Sequence, residues 1–334
     1  MNKIICGDSL QELKKLPDES VDCVVTSPPY WALRDYGVEG QLGLEPTFQE
    51  YITKLCNIFD EVKRVLKKEG TCWVNLGDTY YSINGGKFEN DNLGSKEKNR
   101  LKGLSQSNNL KSGKELTQKN LCNIPARFSI EMQNRGWILR NEIIWHKPNC
   151  MPSSVKDRFT VDFEKVFFFV KSKKYWFETQ YEKAFTPGSK HVSKSGDKSS
   201  QIKESVNATY FDRDFTSGEN RNKRCVWTIT TKPFKEAHFA TYPEQLIEPM
   251  IKAGCPVGGI VLDPFFGAGT TGVVTKKLNR NYLGIELNPE YIDIATRRIN
   301  GLPQKLFNGL KQDNTGNPTY KGFNKRYREK LKKQ

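Results

Sequence analysis

The feature that most constrains the fold is a short β-branched run that ends in two prolines, Val21-Asp22-Cys23-Val24-Val25-Thr26-Ser27-Pro28-Pro29-Tyr30. The run through Val25 predicts a buried strand. Pro28 and Pro29 have no backbone N–H and a fixed φ, so a central strand cannot continue through them. The segment therefore predicts a stiff, extended loop at the carboxyl end of a parallel strand, where open α/β sheets bind their ligands.

The chemistry of this loop suits an amino group on a flat ring. The hydroxyl of Ser27 and the carbonyl of Pro28 can accept hydrogen bonds from an NH2 group, while Tyr30 stacks on the heterocycle. The alternative is that the two prolines only end a strand and Tyr30 packs in the core. These residues alone do not decide between the two interpretations.

A second ligand-binding pattern lies far along the chain, in the segment 259–288. A buried strand ends at Asp263 and a glycine-rich turn follows, and the next strand ends in the acidic Glu286. Glycines let a backbone approach a ligand at a helix N-terminus, and an acid at the next strand end can bind ribose hydroxyls. The turn formally matches GxGxxG, so an enzyme that uses a nicotinamide dinucleotide is an alternative. Bulky Phe265 and Phe266 before the turn, and the short chain after Glu286, argue against it.

Three motifs taken together resemble the S-adenosylmethionine-dependent DNA amino-methyltransferases. They are Thr-Ser-Pro-Pro-Tyr at 26–30, Asp-Pro-Phe-Phe-Gly-Ala-Gly-Thr-Thr at 263–271 and Gly-Ile-Glu-Leu-Asn-Pro-Glu-Tyr at 284–291. The catalytic motif comes first and the cofactor motif last, as in the permuted beta group of these enzymes. The resemblance runs from Ile4 to about Ile299. It implies an α/β, Rossmann-like class I methyltransferase fold, circularly permuted, with a doubly wound, mostly parallel sheet and a small inserted DNA-recognition region.

The resemblance also implies roles for individual residues. The catalytic residues would be Ser27, Pro28, Pro29 and Tyr30. The residues that bind S-adenosyl-L-methionine would be Asp8, Thr26, Ala240, Thr241, Tyr242, Pro243, Asp263, Pro264, Phe265, Gly267, Gly269, Thr270, Thr271, Glu286, Leu287 and Asn288. The residues that contact DNA would be Arg34, Lys147, Arg221, Lys223 and Arg224.

The implied reaction is methyl transfer to the exocyclic amino nitrogen of a base flipped out of double-stranded DNA. Members of the resembled family with Ser-Pro-Pro-Tyr are mostly cytosine-N4 enzymes, whereas adenine-N6 enzymes usually carry Asp or Asn in the first position. Cytosine N4 is therefore the predicted target, with adenine N6 as the alternative. A cytosine-C5 enzyme would need a Pro-Cys pair, and the chain has only Cys255-Pro256.

Charge and cysteine content agree with a DNA-binding protein of a reducing compartment. The formal net charge is +15, with 53 Lys and Arg against 38 Asp and Glu, which favours a polyanionic partner. Eight scattered cysteines and three histidines predict neither a metal site nor a disulfide framework. No apolar run has membrane-spanning length. We expect a cytoplasmic protein, prokaryotic or phage-encoded, that binds double-stranded DNA but no membrane. A cognate restriction endonuclease is a candidate partner, and the chain would be a monomer or a homodimer.

Composition divides the chain into four predicted parts. Residues 1–177 form a catalytic half with a mobile basic loop at 84–119, 178–235 a target-recognition region, 236–300 the cofactor-binding half and 301–334 a flexible basic tail. Periodicity predicts helices over 9–15, 47–66 and 244–253 and from Ile124 onward, with Gly70 ending the second of them. The other predicted strands cover 3–8, 71–78, 137–145 and 164–171. His146, in the loop after the third of these, is predicted to have no catalytic role.

Overall fold

The computed structural model describes residues 2–33, 36–81, 116–183, 220–231 and 241–302. Within these ranges the strands are β1 Lys3–Cys6, β2 Val21–Thr26, β3 Leu66–Leu76, β4 Ile138–His146, β5 Phe163–Val170, β6 Tyr181–Lys183, β7 Asn220–Asn222, β8 Val226–Thr228, β9 Ile260–Asp263 and β10 Asn281–Glu286. The helices are α1 Ser9–Lys14, α2 Phe48–Val65, α3 Ile124–Asn134, α4 Glu244–Gly254, α5 Thr270–Lys277 and α6 Pro289–Asn300.

Eight strands form one sheet in the order β1-β10-β9-β2-β3-β5-β4-β8. Only β5 runs antiparallel to its neighbours, and the remaining pairs are parallel. The two β-branched strands β2 and β9 lie side by side, with Cys23 opposite Val261 and Val24 opposite Leu262. The first and last parts of the chain therefore meet at the centre of the sheet, as the permuted arrangement predicts.

The chain leaves β2 and β9 in opposite directions along the sheet. It continues from β2 to β3 on one side, and from β9 to β10 on the other. Loops that depart in opposite directions leave a crevice between them at the carboxyl ends of the two strands. The predicted catalytic and cofactor motifs both follow these strand ends, so the topology brings them to one place.

Helices cover both faces of the sheet, which confirms the doubly wound prediction. Residues of α1, α2 and α3, such as Leu13, Phe59 and Phe128, pack on one face. Residues of α4 and α5, such as Met250 and Val274, pack on the other. None of the helices in the described ranges is long and apolar enough to span a membrane.

The seven strands predicted from the sequence all belong to the large sheet, with ends shifted by one or a few residues. The prediction that Gly70 ends the second helix is wrong. That helix ends at Val65, and Leu66 already has an extended backbone with φ −71° and ψ 132°. Gly70 lies inside β3, where a Cβ would come within 2.9 Å of the carbonyl oxygen of Asp22.

A small second sheet, formed by β6 and β7, lies within the predicted recognition region. β6 and β7 pair antiparallel, with Lys183 opposite Asn220, so the two ends of segment 184–219 are adjacent. The last strand of the region, β8, joins the large sheet beside β4. The four-part division of the chain stays a prediction. The tail from residue 303 onward and most of the predicted mobile loop (84–115) lie outside the described residues.

Candidate active site

A cleft of about 310 Å³ opens between the carboxyl ends of β2 and β9. Ser27, Pro28 and Tyr30 line it from the loop after β2, and Gly267 and Thr270 line it from the glycine-rich turn after β9. The predicted catalytic loop and the predicted cofactor loop thus share one cavity. Residues from opposite ends of the sequence can act on the same bound molecules there.

The two prolines of the loop present their carbonyls differently. The carbonyl oxygen of Pro29 accepts a hydrogen bond from Tyr51 Oη at 2.8 Å, which ties the loop to α2. Pro28 lines the cleft, and no donor in the described part of the chain bonds its carbonyl. Beside it, Ser27 Oγ lies 3.5 Å from Asn75 Oδ1 of β3. One hydroxyl and one carbonyl are therefore presented side by side to a ligand with N–H groups.

Tyr30 is fixed in the cleft through its hydroxyl. Tyr30 Oη donates to Glu164 Oε2 at 2.7 Å and lies 3.2 Å from Asn75 Oδ1. Burial raises the pKa of Tyr30, and the neighbouring Glu164 raises it further, so the phenol stays protonated. Gly77 makes room for the ring, since a Cβ there would stand 2.5 Å from Tyr30 Cε2. The ring is thus available for stacking in one defined orientation.

Asn75 and Glu164 are functional candidates that the sequence did not reveal. Asn75 Nδ2 donates to Glu164 Oε2 at 3.0 Å and to the carbonyl of Lys165 at 3.2 Å. Glu164 Oε1 pairs with Lys147 Nζ, and the ammonium also lies 4.5 Å from the centre of the Trp145 ring. Asn75, Glu164, Lys147 and Trp145 all line the cleft. The structure therefore places Lys147 in the wall of the cleft, and its predicted contact with DNA stays a prediction.

Asp263 lies beneath the cleft and joins both ends of the chain. Its Oδ1 accepts hydrogen bonds from Thr26 Oγ1 at 2.6 Å and from the N–H of Phe265 at 3.0 Å. Its Oδ2 accepts from Thr271 Oγ1 at 2.5 Å and from Tyr242 Oη at 3.1 Å. Burial raises the pKa of this carboxyl. The sequence predicts that Thr26, Asp263 and Thr271 contact the cofactor, but all three are buried and do not line the cleft. In this structure Thr26 and Thr271 hydrogen-bond Asp263, and the contact of all three with the cofactor stays a prediction.

Glu286, at the end of β10, holds the glycine-rich turn from the other side. Its Oε2 accepts from the N–H of Gly267 at 2.6 Å and its Oε1 from the N–H of Asn288 at 2.9 Å. Burial raises the pKa of the Glu286 carboxyl. Glu286 lines the cleft and also a second cavity of about 320 Å³. The two cavities share Phe265, Glu286 and Leu287, and Asp8 lines the second cavity. The two cavities therefore lie next to each other.

Two glycines of the turn, Gly267 and Gly269, have different surroundings. Gly267 has a φ of +51°, and a Cβ there would meet no atom within 4 Å, so its open side faces free space at the cleft. Gly269 has a φ of +76°, but a Cβ there would stand 2.6 Å from Ala295 Cβ of α6. The sequence predicts that Gly269 approaches the cofactor. The structure shows that this glycine permits close packing of α5 on α6, and its contact with the cofactor stays a prediction.

The predicted cofactor residues as a whole fall into three groups. Those that line one or both cavities are Asp8, Thr241, Tyr242, Pro264, Phe265, Gly267, Thr270, Glu286, Leu287 and Asn288. Those that do not line either cavity are Thr26, Pro243, Asp263, Gly269 and Thr271. Ala240 lies outside the described residues, as does the predicted DNA contact Arg34.

The remaining predicted DNA contacts lie near the small sheet. Arg221 Nε and Arg224 Nε both pair with Glu182 Oε1, at 3.0 and 2.8 Å. Lys223 Nζ lies 5.0 Å from the centre of the Trp227 ring. These three basic residues are clustered as the sequence suggests, and their contact with DNA stays a prediction.

Other reactive side chains lie away from the cleft. His146 Nδ1 is 3.1 Å from Thr228 Oγ1, and His146 does not line the cleft. Cys255 is fully buried, and burial raises the pKa of its thiol, so it is unsuited to nucleophilic attack. Among the described residues, no group of three His, Cys, Asp or Glu side chains is placed to hold a metal ion.

Fold and site together define a class of protein. The fold is that of a Rossmann-like, class I methyltransferase, with a doubly wound sheet, a glycine-rich turn after β9 and an acid at the end of β10. The cleft beside the turn leaves room for a second substrate. Residues 21–297 match the family model described as DNA methylase, of the N6 and N4 amino-methyltransferases. The chain belongs to this DNA methylase family.

Two relatives show the extent of the likeness. The Type II methyltransferase M.Cfr9I of Citrobacter freundii is 44% identical over 295 residues, which are 88% of this chain and 86% of the relative. The Type II methyltransferase M.SmaI of Serratia marcescens is 42% identical over 297 residues, 89% of this chain and 90% of the relative.

Solved structures share the fold at low sequence identity. The PvuII DNA methyltransferase, described as cytosine-N4-specific, matches with a TM-score of 0.59 and 21% identity, over 92% of this chain and 90% of that one. A protein of Thermus thermophilus described as a DNA modification methylase, in complex with S-adenosyl-L-methionine, matches with a TM-score of 0.53 and 23% identity. That match covers 90% of this chain and 93% of the other.

Proposed function

We propose that this DNA methyltransferase modifies the exocyclic N4 of cytosine at specific sites in double-stranded DNA. The observation that carries the proposal is the Ser27 hydroxyl and the Pro28 carbonyl presented side by side in the cleft that the glycine-rich turn also lines. The preference for cytosine rests on serine as the first residue of Ser-Pro-Pro-Tyr. The alternative target is the N6 of adenine, whose amino group could be held by the same hydroxyl and carbonyl.

The grip addresses the main chemical difficulty of the reaction. An exocyclic amino nitrogen is a poor nucleophile because its lone pair is delocalised into the ring. Hydrogen bonds from its two N–H groups to Ser27 Oγ and the Pro28 carbonyl favour a pyramidal nitrogen whose lone pair points away from the ring. The loop supplies this by positioning and electrostatics, with no covalent intermediate. Tyr30, fixed by Glu164, replaces part of the stacking that the flipped base loses.

The two neighbouring cavities, which share three lining residues, are the proposed site of S-adenosyl-L-methionine, which supplies an electrophilic methyl group when bound. Glu286 has lone pairs left after accepting from two backbone N–H groups, so it can accept hydrogen bonds from ribose hydroxyls. The open side of Gly267 lets the backbone lie close to the ligand. We assign Asp8 to the adenine end of the cofactor and Thr241 to its methionine end, because the two residues line different cavities.

The partners follow from the same proposal. Several relatives are named Type II methyltransferases, which supports a cognate restriction endonuclease that cuts the unmodified sequence. We place the protein in the bacterial cytoplasm, where both proteins would act on the same DNA. Arg221, Lys223 and Arg224 are the proposed DNA contacts of the described recognition region.

The target base is tested by mass spectrometry of nucleosides from DNA treated with the purified protein and S-adenosyl-L-methionine. We expect N4-methylcytosine. N6-methyladenine without N4-methylcytosine would replace the proposed target with the alternative, and a protein whose Ser27 is replaced by alanine serves as the control for contaminating activity.

Gly267→Val tests the cofactor loop. A branched side chain in the space beside the cleft is expected to weaken binding of S-adenosyl-L-methionine by roughly 5- to 150-fold, since overpacking costs about 1–3 kcal/mol. Calorimetric titration measures the affinity. The matched control is Gly258→Val, because Gly258 also has a left-handed backbone, with φ +79°, and open space around its Cβ position, but lines neither cavity. Equal losses in both variants would attribute the effect to backbone strain.

A further inference from the structure

The cleft contains an ion pair between Glu164 and Lys147, and the proposed grip on the amino group gives the lysine no role. Lys147 follows directly after β4, and Glu164 lies on β5 opposite Trp145. Their side chains are only 18% and 16% exposed. A lysine that neutralises a DNA phosphate needs its ammonium at the protein surface. Lys147 instead lines the cavity that Ser27 and Pro28 also line.

The ammonium of Lys147 has hydrogen-bonding capacity left. It carries three N–H donors, and one of them goes to Glu164 Oε1. The Trp145 ring covers one side of it. In the described part of the chain no second acceptor bonds Lys147 Nζ. The remaining donors therefore face whatever occupies the cleft.

A continuous wall of side chains leads from the gripping loop to this ammonium. Ser27 Oγ contacts Asn75 Oδ1, Asn75 Nδ2 donates to Glu164, and Glu164 pairs with Lys147. A base whose amino group is held at Ser27 presents the next atoms of its ring edge along this wall. The identity of those atoms differs between the two candidate bases.

We propose that Lys147, held in place by Glu164, donates hydrogen bonds to the ring N3 and the O2 carbonyl of the target cytosine and so selects cytosine over adenine. This inference rests on the proposed function, because it takes the amino group to lie at Ser27. Next to its amino group cytosine has two acceptors in succession, N3 and O2. Adenine has N1 and then a C2–H group, which would leave a donor of the covered ammonium unpaired. A site that leaves a buried polar group unpaired discriminates strongly against the wrong ligand.

The test is equilibrium DNA binding by the full chain with S-adenosyl-L-homocysteine present. Two unmethylated duplexes contain the sequence that the enzyme recognises. One has cytosine at the target position and the other has an abasic nucleotide there. Lys147→Met keeps the length and the packing on Trp145 but removes the donors. We expect it to weaken binding of the cytosine duplex by at least about tenfold, with the abasic duplex and the salt slope unchanged.

A phosphate contact would give a different pattern. Both duplexes would then weaken equally, and the slope of log K against log salt would fall by about 1. That result, or unchanged binding of the cytosine duplex, overturns the inference. If Lys147→Met does not fold, as judged by thermal unfolding, Lys147→Gln replaces it and is subject to the same two outcomes.

The matched control is Lys165→Met. Lys165 follows Glu164 in the chain, pairs with Glu142 at 2.6 Å and does not line the cleft, so binding of both duplexes should be unchanged. The nucleoside analysis separates the two proposals. Methylated adenine would refute the proposed function itself, whereas a cytosine enzyme that shows the phosphate pattern refutes only the role of Lys147.

Discussion

Replacing Ser27 with alanine is expected to slow methyl transfer by roughly 30- to 1000-fold and to leave the affinity for S-adenosyl-L-methionine nearly unchanged. The variant removes one of the two acceptors for the target amino group, and such a bond contributes about 2–4 kcal/mol when it forms mainly in the transition state. The cofactor loop is untouched, because Ser27 contacts only Asn75 and Tyr30 among the described side chains. Single-turnover kinetics with saturating DNA measure the chemical step directly.

The control for this variant is Ser20→Ala, at the opposite end of β2. Ser20 Oγ donates only to the Pro17 carbonyl, in the turn that precedes the strand. Its removal should change neither the rate nor the cofactor affinity. A Ser27→Ala protein with the single-turnover rate of the wild type would remove Ser27 from the mechanism and leave the Pro28 carbonyl as the only acceptor of the grip.

Replacing Asp263 with alanine is expected to lower the free energy of unfolding by roughly 3–5 kcal/mol, because it leaves several buried donors unpaired at about 1–3 kcal/mol each. Three hydroxyls and one backbone N–H converge on this carboxylate. Denaturant unfolding measures the loss. The comparison is Asp22→Ala, at the other end of the same strands. Asp22 accepts from the N–H of Ile260 and pairs with the half-exposed Lys67, so its loss should cost only about 1–2 kcal/mol.

The two variants should also differ in cofactor binding. Asp263 holds Tyr242 and Thr271 beneath the cleft, so Asp263→Ala should weaken the binding of S-adenosyl-L-methionine in the fraction that stays folded. Asp22 lies at the opposite edge and should have no such effect. Equal unfolding losses and equal affinities in the two variants would show that Asp263 is an ordinary buried carboxylate rather than the support of the site.

The raised pKa of Asp263 adds a pH dependence with a defined sign. The folded chain binds a proton at this carboxyl more readily than the unfolded chain does, because burial raises its pKa. The contribution to stability is therefore full below the usual Asp pKa of about 3.9 and is lost as the pH rises through the folded pKa. Asp263→Asn cannot titrate. The melting temperature of the wild type minus that of Asp263→Asn should fall as the pH is raised from the acid range.

The sequence predicts the fold well because the strands around the site are hydrophobic throughout. Val24, Leu262 and Ile285 lie in short apolar runs bounded by Pro, Gly or acidic residues, and each run is a strand of the sheet. In the large sheet the exception is β8, where Trp227 alone is buried and no period is visible in three residues. The predicted end of α2 at Gly70 is wrong because no local signal marks the true end. The helix stops at Val65, and its last turn leads directly into β3 without a glycine.

The site is predictable only in part, because several of its members belong to segments that look like core. Asn75 is flanked by Val74 and Leu76, and Glu164 precedes a run of apolar residues. Nothing in either segment indicates that they meet, since their contact depends on β5 running antiparallel beside β3. Conversely, the motif residues Asp263 and Gly269 look like ligand contacts in the sequence, and only the structure shows how closely protein atoms pack around them.

The pairing of β2 with β9 has a consequence for biosynthesis. More than 230 residues separate the two strands, so β2 leaves the ribosome long before its central partner exists. At about 5–20 residues per second, one edge of this β-branched strand stays uncovered for roughly 10–50 s, and such an edge can pair with other chains. Nascent chains should therefore depend on chaperones during this interval. Ribosomes that stall before β9 release products with no cofactor loop, so DNA is modified only by copies whose translation has passed that strand.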